Sequence, residues 1–290
     1  MSAISLDEAR AILAERNLIA VGARGDHERR RRHGGRTTFV RVFEVHTDAV
    51  PSGLPASASA GEIRVTGTPP SVAAAVASIK AARALAGSTP LSAYSLADLL
   101  DLAGSTAGLT DLVARLVAAG LEIVADAPLD RLPDAAAAIR AARDAGARVP
   151  RLTVHQPAEG DGLRFVTMAR DVQTSVGGVR AFAPLARTSA AAQPSTGYDD
   201  VKQIAVARLL AANIDSIQVD WALYGPKLAQ VALTMGADDV DSVSALEGDL
   251  GRRRSPIEEI RGNISAAGLE PIERDGRFLP RKTRITQNNS

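Results

Sequence analysis

Two histidines and a set of aspartates stand at one kind of place in this sequence, the carboxyl end of a short apolar run, and each can hold or move a proton. His46 with Asp48 marks the end of Phe39–Thr47, Asp126 closes Glu122–Ala127, His155 with Gln156 closes Arg151–Gln156, Asp220 with Trp221 closes Ser216–Trp221, and Asp241, Ser242 and Ser244 lie in Asp239–Ser244. Thr66 and Tyr94 close two further runs, Glu62–Gly67 and Pro90–Ser95. Imidazole and carboxylate suit general acid–base transfer, so His46, Asp126, His155, Asp220 and Asp241 are the catalytic candidates. Thr66, Tyr94, Gln156, Trp221, Ser242 and Glu247 are the hydrogen-bonding or stacking groups expected to hold a ligand. The same residue types suit a metal ion, but no HxH, HExxH or strand-end lysine supplies a ligating spacing, and no metal is assigned. Structural roles compete with these: histidines satisfying backbone or hydroxyl partners, Asp126 and Asp220 capping the helices that follow, Trp221 filling the core.

The elements that must position these groups follow from hydrophobic period. The seven runs named above and Val179–Leu185 have strand length, and alanine-rich segments of helical period lie between most of them. The predicted helices are Ser71–Ala86, Leu96–Ala119 broken at Gly104, Leu132–Ala145, Gly162–Thr174, Tyr198–Ala212 and Pro226–Met235, with Gly87, Gly120, Gly146 and Gly236 just past helix ends. Strand–helix alternation repeated eight times predicts an α/β fold, a (β/α) barrel of the TIM type, whose ligands bind at the carboxyl ends of the strands. One unit breaks the rhythm: DAVPSGLPASASAG between Thr47 and Glu62 reads as loop, leaving the first crossover helix missing or the barrel open there. Leu6–Asn17 and Asp26–Arg32 are expected as helices across the barrel bottom or side. Ser255–Ala267 is expected as a closing helix with Ser255 as N-cap and Gly268 past its end. One domain is expected over residues 1–280, with a lead-in over 1–38, the barrel over 39–250, the closing helix within 255–280 and a flexible tail over 281–290.

Composition removes whole classes of function. There is no cysteine in the 290 residues, which excludes disulfides, thiolate zinc sites, a cysteine nucleophile and a cysteine-ligated iron–sulfur cluster. The balance of 34 Lys+Arg against 33 Asp+Glu gives no basic field for nucleic acid. No apolar run approaches the roughly 20 residues of a bilayer span, and the start lacks an apolar signal core, so a cytoplasmic protein is expected. The arginines of Arg29–Arg32 and Arg252–Arg254 are read as solvated helix charge, since Asp26 and Glu28 interleave the first run.

The carboxyl-terminal part carries a more specific pattern. Gly197-Tyr198-Asp199-Asp200, Ala205-Val206-Ala207-Arg208, Asn213-Ile214, Gly225-Pro226-Lys227-Leu228-Ala229-Gln230, Gly236-Ala237-Asp238-Asp239, Glu247 and Arg274-Asp275 follow one another within Ser195–Phe278. In this order they resemble the carboxyl-terminal half of the radical S-adenosylmethionine enzymes that include aminofutalosine synthase and dehypoxanthine futalosine cyclase of menaquinone biosynthesis and the deazaflavin-cofactor synthase subunits. Phe182-Ala183-Pro184-Leu185, Leu91–Leu102 and Glu62–Pro70 resemble upstream segments of the family more weakly. The resemblance implies a radical-SAM-like barrel. It also implies a Cys-x-x-x-Cys-x-x-Cys loop after the first strand, holding a 4Fe–4S cluster, and here that loop has no cysteine. The glycine pair that receives the methionyl amine in the family corresponds to Thr66-Gly67, so half of that S-adenosylmethionine contact is lost. The expectation is a cluster-free paralogue of the futalosine pathway. It would be a pseudoenzyme or binding partner for a nucleoside-like or aromatic carboxylate molecule, or for a cysteine-bearing homologue or other pathway enzyme. The alternative is a non-radical lyase, hydrolase or transferase acting on such an intermediate.

Overall fold

The structure is a computed structural model that describes residues 3–158, 160–187, 197–246 and 256–281. Its strands are β1 (Arg36–His46), β2 (Glu62–Thr66), β3 (Leu91–Ser95), β4 (Ile123–Pro128), β5 (Arg151–Val154), β6 (Ala181–Ala186), β7 (Ser216–Asp220), β8 (Asp239–Ser244) and β9 (Glu270–Arg274). Strands β2 to β8 pair in chain order, all in parallel, and β1 closes the ring by pairing β8 on one edge and β2 on the other, Val42–His46 lying against Glu62–Thr66. The barrel is therefore closed at the irregular unit, and residues 47–61 join β1 to β2 without a helix.

The helices are α1 (Leu6–Ala14), α2 (Leu18–His33), α3 (Val72–Ala86), α4 (Leu96–Ala103), α5 (Thr106–Ala118), α6 (Ala135–Asp144), α7 (Gly162–Val176), α8 (Gly197–Leu210), α9 (Trp221–Thr234) and α10 (Pro256–Ala266). Alanine-rich composition suits them twice over: alanine has the best intrinsic helix propensity, and its small side chain lets a helix lie close on the strands. In α3 the buried positions Ala75, Ser78, Ile79, Ala82 and Ala86 recur at three- and four-residue spacing, one face against the sheet. Hydroxyl and carboxylate caps start these helices where the loops deliver them, Ser71 accepting from the Ala74 amide and Asp134 from the Ala137 amide. Gly87, Gly120, Gly146, Gly236 and Gly268 all adopt positive φ.

Several expectations need correction. The segment Asp26–Arg32 lies inside the longer helix α2, which packs on the barrel's side, one of the two expected places, against α8 and α9. Close approach there depends on Gly25, where a Cβ would stand 2.1 Å from the Met235 carbonyl oxygen. The arginines of α2 are more than solvated charge. Arg29 is fully buried and pairs the half-buried Asp26, and Glu28 takes both Arg31 and Arg32. Trp221 does not end a strand; it opens α9, which starts five residues before the predicted Pro226 and kinks at Gly225. A ninth strand was not expected. Glu270–Arg274 pairs Arg36–Val40 on the edge of β1 that higher up carries β2, and so lengthens the barrel wall at its base. Ser255, Glu247, Arg252–Arg254 and residues 282–290 lie outside the described residues.

Candidate active site at the barrel mouth

The barrel interior is built from charge. In a strand, residues two apart share a face, so Glu62 and Arg64 of β2, and Asp239 and Asp241 of β8, point the same way in pairs. Arg64 grips both Asp241 oxygens at 2.9 and 3.2 Å and reaches Glu62 Oε1 at 2.8 Å. Arg151 approaches Asp241 at 3.4 Å and donates to the Ala125 carbonyl at 2.9 Å. Below them Arg274 of β9 clasps Asp239 through two bonds of 2.6 Å, and Gln218 donates to the same carboxylate at 2.6 Å. Asp241 is completely buried. Burial alone would raise its pKa, but the Arg151 and Arg64 guanidiniums hold it well below the usual carboxylate range.

A β-bulge carries this network upward. Phe39 pairs Val240 and Arg41 pairs Val243, so β8 has one residue more than β1, and Ser242 sits in the left-handed region at φ +57°. The bulge turns Ser242 inward beside Asp241, where its hydroxyl accepts from Arg64 at 3.0 Å and donates to Asp220 at 2.9 Å. Asp220 also caps α9 by accepting from the Leu223 amide and pairs Arg187 at 2.8 Å.

Above the network lies a cavity of about 230 Å³ lined by Glu44, Arg64, Thr66, Gly67, Thr68, Tyr94, Ser95, Asp98, Ala125, Asp126, Arg151, His155 and Arg187, among others. Two of the predicted candidates, Asp126 and His155, meet here: Asp126 Oδ2 lies 2.8 Å from His155 Nε2 and accepts from Thr153 at 2.9 Å. Burial works to raise the Asp126 pKa, but the His155 hydrogen bond and charge prevail and bring it down to about 2. Asp126 is thus an ionised acceptor that orients the imidazole, the arrangement by which a carboxylate prepares a histidine for proton transfer. Asp126 does not cap the next helix; Asp134 does.

The other predicted residues divide. Thr66 and Tyr94 line the cavity; Tyr94 holds φ +56°, and its hydroxyl bonds Thr47 at 2.9 Å. Asp220, Asp241 and Ser242 belong to the ion-pair network beneath it. His46 is exposed beside Asp48, with its ring over Gly67, where a Cβ would stand 2.6 Å from Nε2. Gln156 is exposed and is held through its amide by Asp130, outside the cavity lining. Trp221 is buried in the core and does not line the cavity, so its packing role prevails over the stacking one. Glu247 lies outside the described residues.

The sequence reading missed Glu44, Arg64, Arg151 and Arg187, because it weighed polar residues only at strand ends. A charge at every second position inside an apolar parallel strand, as in Glu62-Ile63-Arg64, is the available signal. Such a strand is covered on both faces, so a charged residue within it needs either a partner across the barrel, as Arg64 has, or an opening to the barrel mouth, as Glu44 has. Among the described residues no group of three or more histidines and carboxylates is placed to hold a metal ion, and no helix is long and apolar enough to cross a membrane.

With the geometry in place, likeness to solved structures defines the class. The chain superposes on methylornithine synthase with a TM-score of 0.63 over 93% of this chain and 94% of that one, at 14% identity, which shows a shared (β/α)-barrel fold. Residues 180–286 match the family described as the CofH/MqnC C-terminal region. Aminodeoxyfutalosine synthase of Streptomyces coelicolor is 30% identical over 48% of this chain and 42% of its own length, and that of Thermus thermophilus 34% identical over 42% and 37%. The 5-amino-6-(D-ribitylamino)uracil–L-tyrosine 4-hydroxyphenyl transferase of Methanoculleus marisnigri is 36% identical over 30% of this chain and 26% of that protein. The matched stretches thus span well under half of these relatives. The carboxyl-terminal part of this chain carries the CofH/MqnC region, as the motif order from Gly197 to Asp275 indicated.

The cluster implied by that kinship does not fit the residues present. Three thiolates are required, and residues 47–61 offer hydroxyls, one carboxylate and no cysteine. Two of those hydroxyls are engaged, Thr47 with Tyr94 and Ser59 with Arg41.

Proposed function

We propose that this protein is a cluster-free barrel related to the menaquinone and deazaflavin-cofactor enzymes, which binds a small polar molecule at the barrel mouth without radical chemistry. On this reading it is a pseudoenzyme or binding partner in the futalosine pathway. One observation supports it above the others: a polar cavity persists over the ion-pair network while the adjoining 47–61 loop has no ligand for a cluster. The ligand class proposed from the relatives is a futalosine-like nucleoside or a chorismate-derived aromatic carboxylate, with Thr66, Tyr94 and His155 as contacts. A cysteine-bearing homologue is the proposed protein partner, and the cytoplasm the proposed compartment.

The Asp126–His155 pair favours a second reading, a non-radical lyase, hydrolase or transferase in which His155 moves a proton on such an intermediate. Calorimetric titration with S-adenosylmethionine, futalosine-type nucleosides and chorismate derivatives tests both. Saturable binding that weakens in Asp126→Asn supports the site; turnover lost in the same variant supports the enzyme. Absence of binding by the whole set contradicts both readings.

A further inference from the structure

We propose that the barrel-mouth cavity takes an organic cation, a primary amine or similar protonated nitrogen, with Glu44 as its counter-charge. The inference rests on the binding reading above and narrows it: at this cavity it favours a nucleoside-like molecule that carries a protonated nitrogen over the aromatic carboxylate. Around the cavity and its floor stand three guanidiniums, Arg64, Arg151 and Arg187, and six carboxylates, Glu44, Glu62, Asp98, Asp126, Asp220 and Asp241, of which Asp98 is paired with Arg131 outside the lining. Every guanidinium is paired with a buried carboxylate, Arg64 and Arg151 with Asp241 and Glu62 and Arg187 with Asp220, although Arg187 Nη1 and Arg151 Nε make no hydrogen bond of their own among the described residues. Asp126 has His155.

Glu44 is the carboxylate left over. It stands third from the carboxyl end of β1, lines the cavity at the barrel mouth and is exposed there, yet it makes no hydrogen bond or ion pair with any described residue. Its surroundings disfavour its charge. Partial desolvation at the barrel mouth raises its pKa first, Arg64 and Arg187 oppose that, and Asp241 and Asp220 add to it. A protonated nitrogen set against Glu44 supplies the charge that the wall lacks, whereas an anion would meet a surplus of carboxylate. Asp126 and the Thr66 and Thr68 hydroxyls line the same cavity and can accept further N–H groups.

An isosteric series separates the charge states. Benzylamine, benzyl alcohol and benzoate are titrated against the full chain near neutral pH by calorimetry and thermal shift. Benzylamine alone is expected to bind saturably, and Glu44→Gln to weaken it at least tenfold while the ligand-free melting temperature holds. Below the raised Glu44 pKa, benzylamine affinity in the unsubstituted chain falls about tenfold per pH unit, because only the ionised carboxylate binds. That profile decides the matter should Glu44→Gln fail to fold. Preference for benzoate, equal binding of the alcohol, benzylamine binding indifferent to Glu44→Gln and to pH, or no response to any of the three overturns the cation. The nucleoside and chorismate titrations report separately whether the mouth binds anything at all.

Discussion

The two sides of this barrel treat polar residues in opposite ways. Between β1 and β2 the chain spends residues 47–61 on a helix-free loop rich in proline, glycine, serine and alanine, whose exposed Leu54 has no core to join. From β7 to β9 nearly every polar side chain inside the wall is enclosed and paired: Asp220 with Arg187 and Ser242, Asp241 with Arg64 and Arg151, Asp239 with Arg274 and Gln218. The difference shows where sequence is constrained by folding. A loop on the outside satisfies its backbone with water and tolerates losing a helix. A charge inside the barrel has no such recourse, so removing its partner leaves an uncompensated ion.

The largest effect should come from breaking the enclosed side. Arg64→Met leaves Asp241 with Arg151 alone and Glu62 with the Ser92 hydroxyl and an Arg151 contact of 3.8 Å, and is expected to cost about 3–5 kcal/mol, read as a lowered midpoint in urea unfolding. A loss under about 1 kcal/mol would show that the network relaxes or admits water, and the contrast would fall.

Acid should act next. Asp126 has a depressed pKa in the folded protein, about 2, against about 3.9 for an unfolded aspartate. Its contribution, about 2 kcal/mol, is present above the unfolded value and is lost as pH falls through the folded one. Stability measured from about pH 5 down to about pH 2 should therefore fall by about that much more in the unsubstituted chain than in Asp126→Asn. Parallel curves would remove the Asp126–His155 interaction from the account.

Gly67→Ala sits at the seam of the two regions. It combines φ +86° with a Cβ only 2.6 Å from His46 Nε2, and should cost about 1–3 kcal/mol, partly recovered by adding His46→Ala. No recovery would mean that backbone strain alone sets the cost. Smallest of all, Leu54→Ser in the loop should stay within about 0.5 kcal/mol of the unsubstituted chain in the same unfolding assay. A larger loss would place the loop among the structural elements.

The same contrast explains what could be read from sequence. Strands β1 to β8 were legible because parallel strands covered on both faces are nearly continuous apolar runs. Asp126 and His155 were legible only as separate strand-end candidates; their pairing follows from barrel topology, which sets the ends of β4 and β5 side by side with Ala127 beside Leu152. Strand β9 was not, since Glu-Pro-Ile-Glu-Arg has neither alternation nor apolar length and is held only by the base of β1. Trp221 was misplaced by one element because Asp220 ends its strand and caps the next helix at once. Ser242 owes its inward position to a bulge, and the inserted residue follows from strand register, which local composition does not encode.

The central claim is that the mouth binds independently of any cluster. Thermal-shift titration with futalosine-type nucleosides and chorismate derivatives, run on metal-free protein and again after anaerobic reconstitution with iron and sulfide, tests it most directly. The account predicts saturable stabilisation of the metal-free chain, about 2.7 kcal/mol at 100 times the dissociation constant, unchanged by reconstitution. Stabilisation that appears only after iron and sulfide are added would contradict it.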